Sequence, residues 1–406
     1  MPKTKPISSA RQDKINQRRQ YKGPVFFSQG FRPLFLGAAL WAILAIVLWL
    51  ASWLGSPLFG LAVDANWHIH EMLFGFAPAA VCGFLLTAIP NWTGRLPVRG
   101  VLLMLLSAFW LAGRIAMLMQ PILGQTVSAG IDVVFLLALS LAVFREIIAG
   151  RNWKNLKIAF ILAGLTLANI WFHLETAGIV YANEYGVRAA VSLLVLLIAL
   201  IGGRIIPSFT RNTLKKRGAT ALPAPFSNSD RFTLVATLIT GISFTFIPNS
   251  LLTAALALVC SILHFERLTR WRGLHVLFEP MLWVLHLAYL WIGIGFALMA
   301  SSLFLQAPTM SAAIHAFTTG AFASMILAVM TRASRGHTGR ALVANLWTTA
   351  IYISISLAAI LRVLGSIFAG SLYHQMASVF WVAAFGIFVI AYWPVLVGKN
   401  LRVSGK

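Results

Sequence analysis

Residues 66–76 read NWHIHEMLFGF, and they place two histidines and a glutamate at the head of an apolar run that continues to Pro90. Imidazole binds copper, iron and zinc alike, and it is a common axial ligand of haem iron. Ionisable side chains in an apolar helix are costly and mark functional sites by default. The stretch therefore has two interpretations: a polar cap at a helix end, or ligands for a group bound inside the protein.

The composition identifies the elements that must position these residues. The chain has 406 residues, of which 59% are hydrophobic and only 10% are charged, whereas soluble domains carry about 25% charged residues. A helix that crosses a bilayer needs roughly 20 mostly apolar residues, and lipid leaves the backbone no other hydrogen-bond partner. Such stretches recur twelve times, near residues 33–54, 67–90, 100–119, 127–144, 158–178, 188–206, 232–248, 250–264, 280–300, 312–331, 345–366 and 375–396. We predict an all-α integral membrane protein with a basic arm (1–32), a twelve-helix transmembrane domain (33–396) and a short tail (397–406).

The basic residues indicate how the helices are oriented. All but three of the 32 Lys and Arg residues lie in the arm, the tail and alternate loops. Short cytoplasmic loops collect Lys and Arg, so both termini are expected in the cytoplasm. The net charge of +22 follows from this bias, so we expect contact with the lipid bilayer and no nucleic-acid partner.

Loop motifs indicate an internal repeat. The second, sixth and tenth spans end in IPNWTGR, IPSFTR and TRASRGHTGR. The second and tenth also match at one constant offset, where Ile69, His70, Gly75, Thr93, Gly94 and Arg95 meet Ile314, His315, Gly320, Thr338, Gly339 and Arg340. Three units of four helices explain this pattern, and chance similarity among apolar segments with basic loops is the alternative.

The repeat places two histidines at one depth. His70 and His315 each lie a few residues inside the outer end of an inward-running helix, so at about 1.5 Å rise per residue they are level. Two level imidazoles can hold one iron between them. His68 lies two residues from His70, so it points about 160° away on a regular helix and is expected at the rim or on an unwound first turn.

Other histidines and one acid are candidates for the same chemistry. His173 shares the outer level, and His286 lies deeper. His374, beside Tyr373, is expected at the membrane interface. Glu71 is a candidate proton carrier, and the alternative for it, as for each histidine taken singly, is a hydrogen bond between helices. Cys82 and Cys260 form no C-x-x-C-H motif, so any haem is expected to be non-covalent.

Three arginines lie outside the basic segments and require anionic partners. They are Arg114, Arg188 and Arg362, each near an outer helix end. Asp132 is one candidate partner for Arg114, and a haem propionate, which Arg can bind with two hydrogen bonds, is the other. We favour a propionate for Arg362, because no acid lies near it in the sequence.

Several segments together resemble a known family. FRPLFLGAALW, WHIHEMLFGF, LTAIPNWTGR, LWVLHLAYLW and HAFTTGAFASMILAVMTRASRGHTGR are similar to the NnrS proteins, bacterial membrane proteins linked to nitric oxide metabolism and nitrosative stress. The resemblance implies non-covalent haem b, copper and a place in the bacterial inner membrane. On that basis His68 and His173 are candidate copper ligands, with His286 as a further candidate.

The architecture has a weaker likeness to the catalytic subunits of haem–copper oxidases. Those subunits also use twelve helices in three groups of four, with the histidines of the low-spin haem on the second and tenth, where this chain has His70 and His315. The sixth and seventh spans lack histidine here, which argues against an oxidase-type dinuclear centre.

These observations favour a haem- and copper-binding protein that protects against nitric oxide by redox chemistry at iron, without deciding whether it turns over as an oxidoreductase. The alternatives are a polytopic transporter, for which twelve helices with repeats are a common plan, and a non-catalytic nitric oxide or metal sensor.

Overall fold

The computed structural model describes residues 21–305 and 309–401, and these residues form twelve long helices without a strand. Their bounds are α1 Phe31–Trp53, α2 Ala65–Thr93, α3 Val101–Leu118, α4 Gln125–Ala149, α5 Leu156–Thr176, α6 Tyr185–Lys216, α7 Asn228–Phe246, α8 Leu251–Thr269, α9 Pro280–Leu305, α10 Met310–His337, α11 Leu346–Phe368 and α12 Ser371–Val397.

Eleven of these helices are long and apolar enough to cross a membrane. The exception is α7, which is 19 residues long and begins with the polar turn NSDR. That turn and four threonines lower its hydropathy, although the helix packs beside α6 and α8. The all-α membrane fold predicted from the sequence is therefore confirmed, with α7 the least apolar of the twelve.

Three helices form the centre of the bundle. Helices α2, α6 and α10 contact one another, and each is the second helix of a group of four. The most apolar windows of α2 and α10 are 83% and 78% buried, against 39% for α3 and α4. The remaining helices surround this centre, and α12 packs against α1 to close the ring. This arrangement agrees with the three four-helix units expected from the loop motifs.

The two central helices that share the sequence repeat also share a backbone irregularity. A π-helical segment, Glu71–Phe76, follows His70 directly in α2, and another, Ala316–Ala323, follows His315 in α10. π-helical turns are rare and occur frequently at functional sites. Their matching positions support a structural repeat between α2 and α10.

The loops rich in Lys and Arg gather at one end of the bundle, which we call the basic end. The start of α1 and the end of α12 meet there, because Arg32 donates to the carbonyl oxygens of Leu396 and Gly398 at 2.6 and 2.7 Å. At the opposite end, the Asp64 carboxylate accepts from the Trp67 amide at 2.8 Å and fixes the start of α2. The His-x-His pair follows four and six residues after this cap, within the first two turns of α2.

Candidate functional site

His68 and His70 lie on opposite faces of α2, as their spacing predicts, but both faces are interior. The imidazole of His68 stacks on the ring of Trp49 in α1, with centroids 5.0 Å apart and planes 14° apart. His70 faces away from α1 and contacts the ring of His173 in α5, with centroids 4.9 Å apart. The two histidines of this stretch therefore belong to two different sites.

The first site is a buried group that we call the His–Asp–His cluster: His70, Asp132 of α4 and His173 of α5. His70 is fully buried, and its Nε2 lies 3.1 Å from Oδ2 of Asp132. Nε2 of His173 lies 3.1 Å from the same oxygen. Asn169, one helical turn before His173, donates from Nδ2 to this oxygen at 2.8 Å. One carboxylate oxygen thus faces two imidazoles and an amide.

Arg114 supplies the positive charge beside this cluster. Its guanidinium contacts the carboxylates of both Glu71 and Asp132, and all three side chains are at most 1% exposed. Arg114 therefore pairs with Asp132, the first of the two partners considered for it, and also with Glu71. Buried charges are costly unless they are paired and hydrogen-bonded, and here they are both.

The hydrogen bonds around His70 leave one ring nitrogen facing acceptors. Glu71 pairs with Arg114 as a carboxylate, so the Nδ1–H of His70 donates to it at 2.9 Å. Nε2 then faces Asp132 Oδ2 at 3.1 Å and Asn169 Oδ1 at 3.2 Å, and neither oxygen can donate. Two arrangements satisfy this geometry: an imidazolium, or a metal cation bound between His70, Asp132 and His173.

The cluster has the spacing that a metal ion requires. One ligand atom from each of His70, Asp132 and His173 lies within 4.8 Å of the others. Zinc and copper bind imidazole nitrogen and carboxylate oxygen at about 2.0–2.2 Å, which places neighbouring ligand atoms roughly 3 Å apart. A carboxylate on the far nitrogen of a metal-binding histidine is a common supporting contact, and Glu71 provides one for His70.

The second site is a cavity of about 520 Å³ at the end opposite the basic end, which we call the histidine cavity. It lies between α1, α2, α6, α10, α11 and α12. Its walls are mostly apolar and aromatic, with a few polar groups, which is the usual make-up of a cofactor or ligand site. The lining includes His68, His315, His374, Arg362, Trp49, Trp53 and Trp381.

Backbone hydrogen bonds orient two of the three imidazoles in this cavity. The Nδ1–H of His315 donates to the Ser311 carbonyl oxygen at 2.8 Å. In the same way, Nδ1–H of His374 donates to the Gly370 carbonyl oxygen at 2.9 Å. Each Nε2 then carries the lone pair, as in histidines that bind metals. The third, His68, has a buried Nδ1 without a hydrogen-bond partner.

Arg362 is the cation of the histidine cavity. It donates to Ser366 Oγ at 2.6 Å, and no acidic partner for it occurs among residues 21–305 and 309–401. It lines the cavity together with His68 and His315. The third outer arginine, Arg188, instead pairs with Glu184 at 3.3 Å. Arg362 thus keeps a guanidinium available to an anionic group in the cavity.

The structure does not bring together every pair that the sequence suggested. His70 lies in the His–Asp–His cluster and His315 in the histidine cavity, so they do not face each other across one space. His68 and His173 are likewise divided between the two sites. The reason is that α2 is central and buried on nearly all sides, so it has no rim face to which His68 can turn.

His286 occupies a third location. Its Nε2 lies 2.9 Å from Thr210 Oγ1 of α6, and its ring approaches Gly273 in the loop before α9, which is at the basic end. It is therefore remote from both sites.

Two features of the sites escaped the sequence interpretation. His374 lines the histidine cavity, although its position beside Tyr373 suggested the membrane interface. Asp132 and Asn169 complete the His–Asp–His cluster. The four-residue spacing between Asn169 and His173 does indicate one shared helix face, but no sequence signal pairs that face with α2 or α4.

The bundle has twelve long helices, eleven of which are long and apolar enough to cross a membrane, and it encloses a buried His–Asp–His cluster and a histidine-lined apolar cavity. These features define a polytopic membrane protein with candidate sites for a metal or a metal-containing cofactor. The chain matches the sequence profile described as NnrS protein over residues 25–400. It therefore belongs to the NnrS family, as the resemblance indicated. No curated protein sequence matches it. Membership suggests a role in the response to nitric oxide, and the family is associated with metal binding.

Proposed function

We propose that this protein binds haem b and copper in the bacterial inner membrane, with both termini cytoplasmic, and acts in nitric oxide metabolism or in protection from nitrosative stress. Family membership supports the physiological role. The observation that carries the chemical part is the histidine cavity, because three imidazoles and an arginine without an acidic partner line one apolar space.

The residues of the histidine cavity fit a non-covalent haem. Its volume of about 520 Å³ lies within the roughly 300–1,000 Å³ of cofactor sites, and its aromatic walls suit a flat apolar macrocycle. His315 and His68, from the two central helices with π-helical turns, would hold the haem iron, and His374 is a third imidazole within the cavity. Arg362 would bind a propionate through its guanidinium. A bound haem supplies an iron that exchanges electrons and binds small diatomic molecules.

This assignment revises the pair expected from the sequence. It keeps His315 and replaces His70 with His68, because Nδ1 of His70 already faces Glu71 and its Nε2 faces Asp132. His68, in contrast, has a buried nitrogen without a partner. Buried polar atoms are rarely left unsatisfied, so an orphan of this kind is a reason to place a ligand beside it.

Copper is assigned to the His–Asp–His cluster. His70, His173 and Asp132 present two imidazoles and a carboxylate, a ligand set that suits copper or zinc. The Glu71 carboxylate holds His70 from its far nitrogen and also contacts Arg114. Glu71 therefore lies beside the proposed copper site, and the proton-carrying role expected for it from the sequence stays a prediction.

Purification of the full chain from membranes tests the proposal. We expect a Soret band, haem that is extracted by acid acetone because it is non-covalent, and copper by elemental analysis. A strain without the gene should grow less well than its parent under a nitric oxide donor. If pure, folded protein lacks haem and the two strains grow equally well, the transporter interpretation replaces this proposal. Haem-containing protein that neither consumes nor produces nitric oxide would favour the sensor.

A further inference from the structure

A second large cavity lies at the basic end, remote from both proposed metal sites. It measures about 530 Å³ and is bounded by the start of α1, the end of α2, the loop before α3 and the residues that follow α12. The residues around it include Gln29, Arg32, Asn91, Arg99, Lys399 and Asn400. Nothing in the proposed haem and copper chemistry uses this space.

The charge of this basic-end cavity has one sign. Arg32, Arg99 and Lys399 line it, whereas no aspartate or glutamate occurs among the described residues of its wall. Short cytoplasmic loops collect basic residues in any membrane protein, so surplus charge alone is ordinary. Arg32 is the buried one of these three cations, and a buried cation needs compensation that an exposed one does not.

Arg32 is held rigidly with one nitrogen unsatisfied. It is 0% exposed. Its Nη1 donates to the carbonyl oxygens of Leu396 in the last turn of α12 and of Gly398 just after it, and its Nη2 donates to Asn400 Oδ1 at 2.6 Å. Its Nε is buried and has no hydrogen-bond partner. A buried cation without a counter-ion is costly, so an anion is the expected occupant of the cavity.

The start of α1 adds a second attraction for an anion. This helix has 23 residues, and its first turn lacks a side-chain cap. Ser28 and Gln29, which precede it, line the cavity. The Arg32 N–H already donates to the Gln29 carbonyl oxygen at 3.2 Å and Pro33 has no N–H. The attraction at this terminus therefore comes from the helix dipole, which favours negative charge there.

Gln29 restricts the chemistry of that anion. Its Oε1 is buried without a hydrogen-bond partner. A carbonyl oxygen only accepts hydrogen bonds, so its partner has to carry an N–H or O–H group. An anion with a hydroxyl group satisfies the arginines and this glutamine together.

The geometry points to a binding site for a phosphate ester that carries a free hydroxyl group, such as the glycerol phosphate of an anionic phospholipid or a soluble phosphate ester. The phosphate contacts Arg32, Lys399 and the start of α1, and the hydroxyl group donates to Gln29. This inference is independent of haem and copper, because none of these residues lies in either metal site.

Purified full-length protein tests the site with two probes. Glycerol phosphate at matched ionic strength, with sodium chloride as the reference salt, is assayed by thermal denaturation, because a ligand that binds only the folded state stabilises it. Nanodiscs of phosphatidylcholine with or without phosphatidylglycerol are assayed by native mass spectrometry for retained lipid. Arg32 anchors α12, so the test variant is Lys399→Gln, which leaves that anchor intact. Lys216→Gln, an exposed change at the end of α6, is the matched control.

We expect the Lys399→Gln variant to bind about tenfold more weakly, which corresponds to a loss of about 1.4 kcal/mol, while Lys216→Gln binds as the wild type does. The Gln29→Leu variant should lose its preference for glycerol phosphate over inorganic phosphate. Stabilisation by glycerol phosphate identifies a soluble ester, and retention of phosphatidylglycerol alone identifies a lipid headgroup. The proposal is overturned if neither probe binds, or if Lys399→Gln and Lys216→Gln weaken binding equally.

Discussion

His70 and His315 occupy equivalent positions in α2 and α10, each one residue before a π-helical segment, but their side chains lie in different sites. His70 is enclosed by Glu71, Asp132 and Asn169, whereas His315 opens into the histidine cavity. The two helices therefore share a backbone conformation, but their histidines have different surroundings. Helix α2 instead serves both sites, with His68 on one face and His70 on the other.

The charge balance of the His–Asp–His cluster leads to a stability prediction. The Arg114→Gln variant leaves the buried Glu71 and Asp132 without their counter-charge, so it should lower the free energy of unfolding by about 3–5 kcal/mol. Thermal denaturation of the purified protein in detergent measures the effect. The matched control is Arg145→Gln, because the Arg145 side chain is 56% exposed in its pair with Glu146, and exposed pairs contribute about 0–1 kcal/mol.

A compensating change separates charge from packing. Glu71→Gln added to Arg114→Gln removes one of the two uncompensated carboxylates, so the double variant should recover part of the lost stability. If the double variant is less stable than Arg114→Gln alone, loss of packing rather than uncompensated charge accounts for the destabilisation.

Gly75 should not tolerate a larger side chain. A Cβ atom there would collide with the Arg114 guanidinium and lie 2.7 Å from Glu71 Oε2, so Gly75→Ala has to displace the buried ion pair. We expect a loss of about 1–3 kcal/mol in the free energy of unfolding. The control is Gly130→Ala in α4, where a Cβ meets nothing within 4 Å. That change should be neutral or stabilising by up to about 1 kcal/mol. Equal stability of the two variants would contradict the tight packing described around Gly75.

The fold was largely predictable from the sequence because lipid imposes simple rules. Apolar length determines the helices, and the basic loops determine which ends lie together. The polar first turn of α7 lowered its hydropathy without preventing a helix, since its Ser227–Asp230 capping box and its packing against α6 and α8 support it.

The site was less predictable, because a sequence shows the spacing of side chains but not which helices they face. The divergence of His68 and His70 followed from helical geometry. The sequence suggested that His68 lies at the rim and His70 at the centre. Helix α2 has neighbours on both faces, so each histidine packs against another helix. The separation of Asp132 and Asn169 from His70 along the chain exceeds any helical spacing, so only the packing of α2, α4 and α5 brings them together.

Topology can be tested at the longest basic loop. Residues 217–227, between α6 and α7, lie at the basic end and should be cytoplasmic, because Lys215 and Lys216 end α6 and Arg217 begins this loop. An alkaline phosphatase fusion in this loop should be inactive, and a green fluorescent protein fusion should fluoresce. The reverse pair of results would invert the orientation and with it the assignment of the basic-end cavity to the cytoplasmic side.

Copper content should depend on His173 and not on His286. His173→Ala removes one imidazole from the His–Asp–His cluster, so copper per chain should fall by at least tenfold while the haem absorption is retained. In His286→Ala, a buried histidine that contacts Thr210 is lost instead, and copper content should stay at the wild-type value. Unchanged copper in His173→Ala, or an equal loss in both variants, would remove the cluster as the copper site.

The central claim, that haem lies in the histidine cavity, is tested most directly by the absorption and electron paramagnetic resonance spectra of purified His315→Ala beside those of His70→Ala. The account predicts that His315→Ala loses the low-spin haem signal and that His68→Ala does the same, whereas folded His70→Ala retains it, because His70 belongs to the His–Asp–His cluster. Loss of the signal in His70→Ala together with its retention in His68→Ala would contradict the account and restore the pairing of His70 with His315.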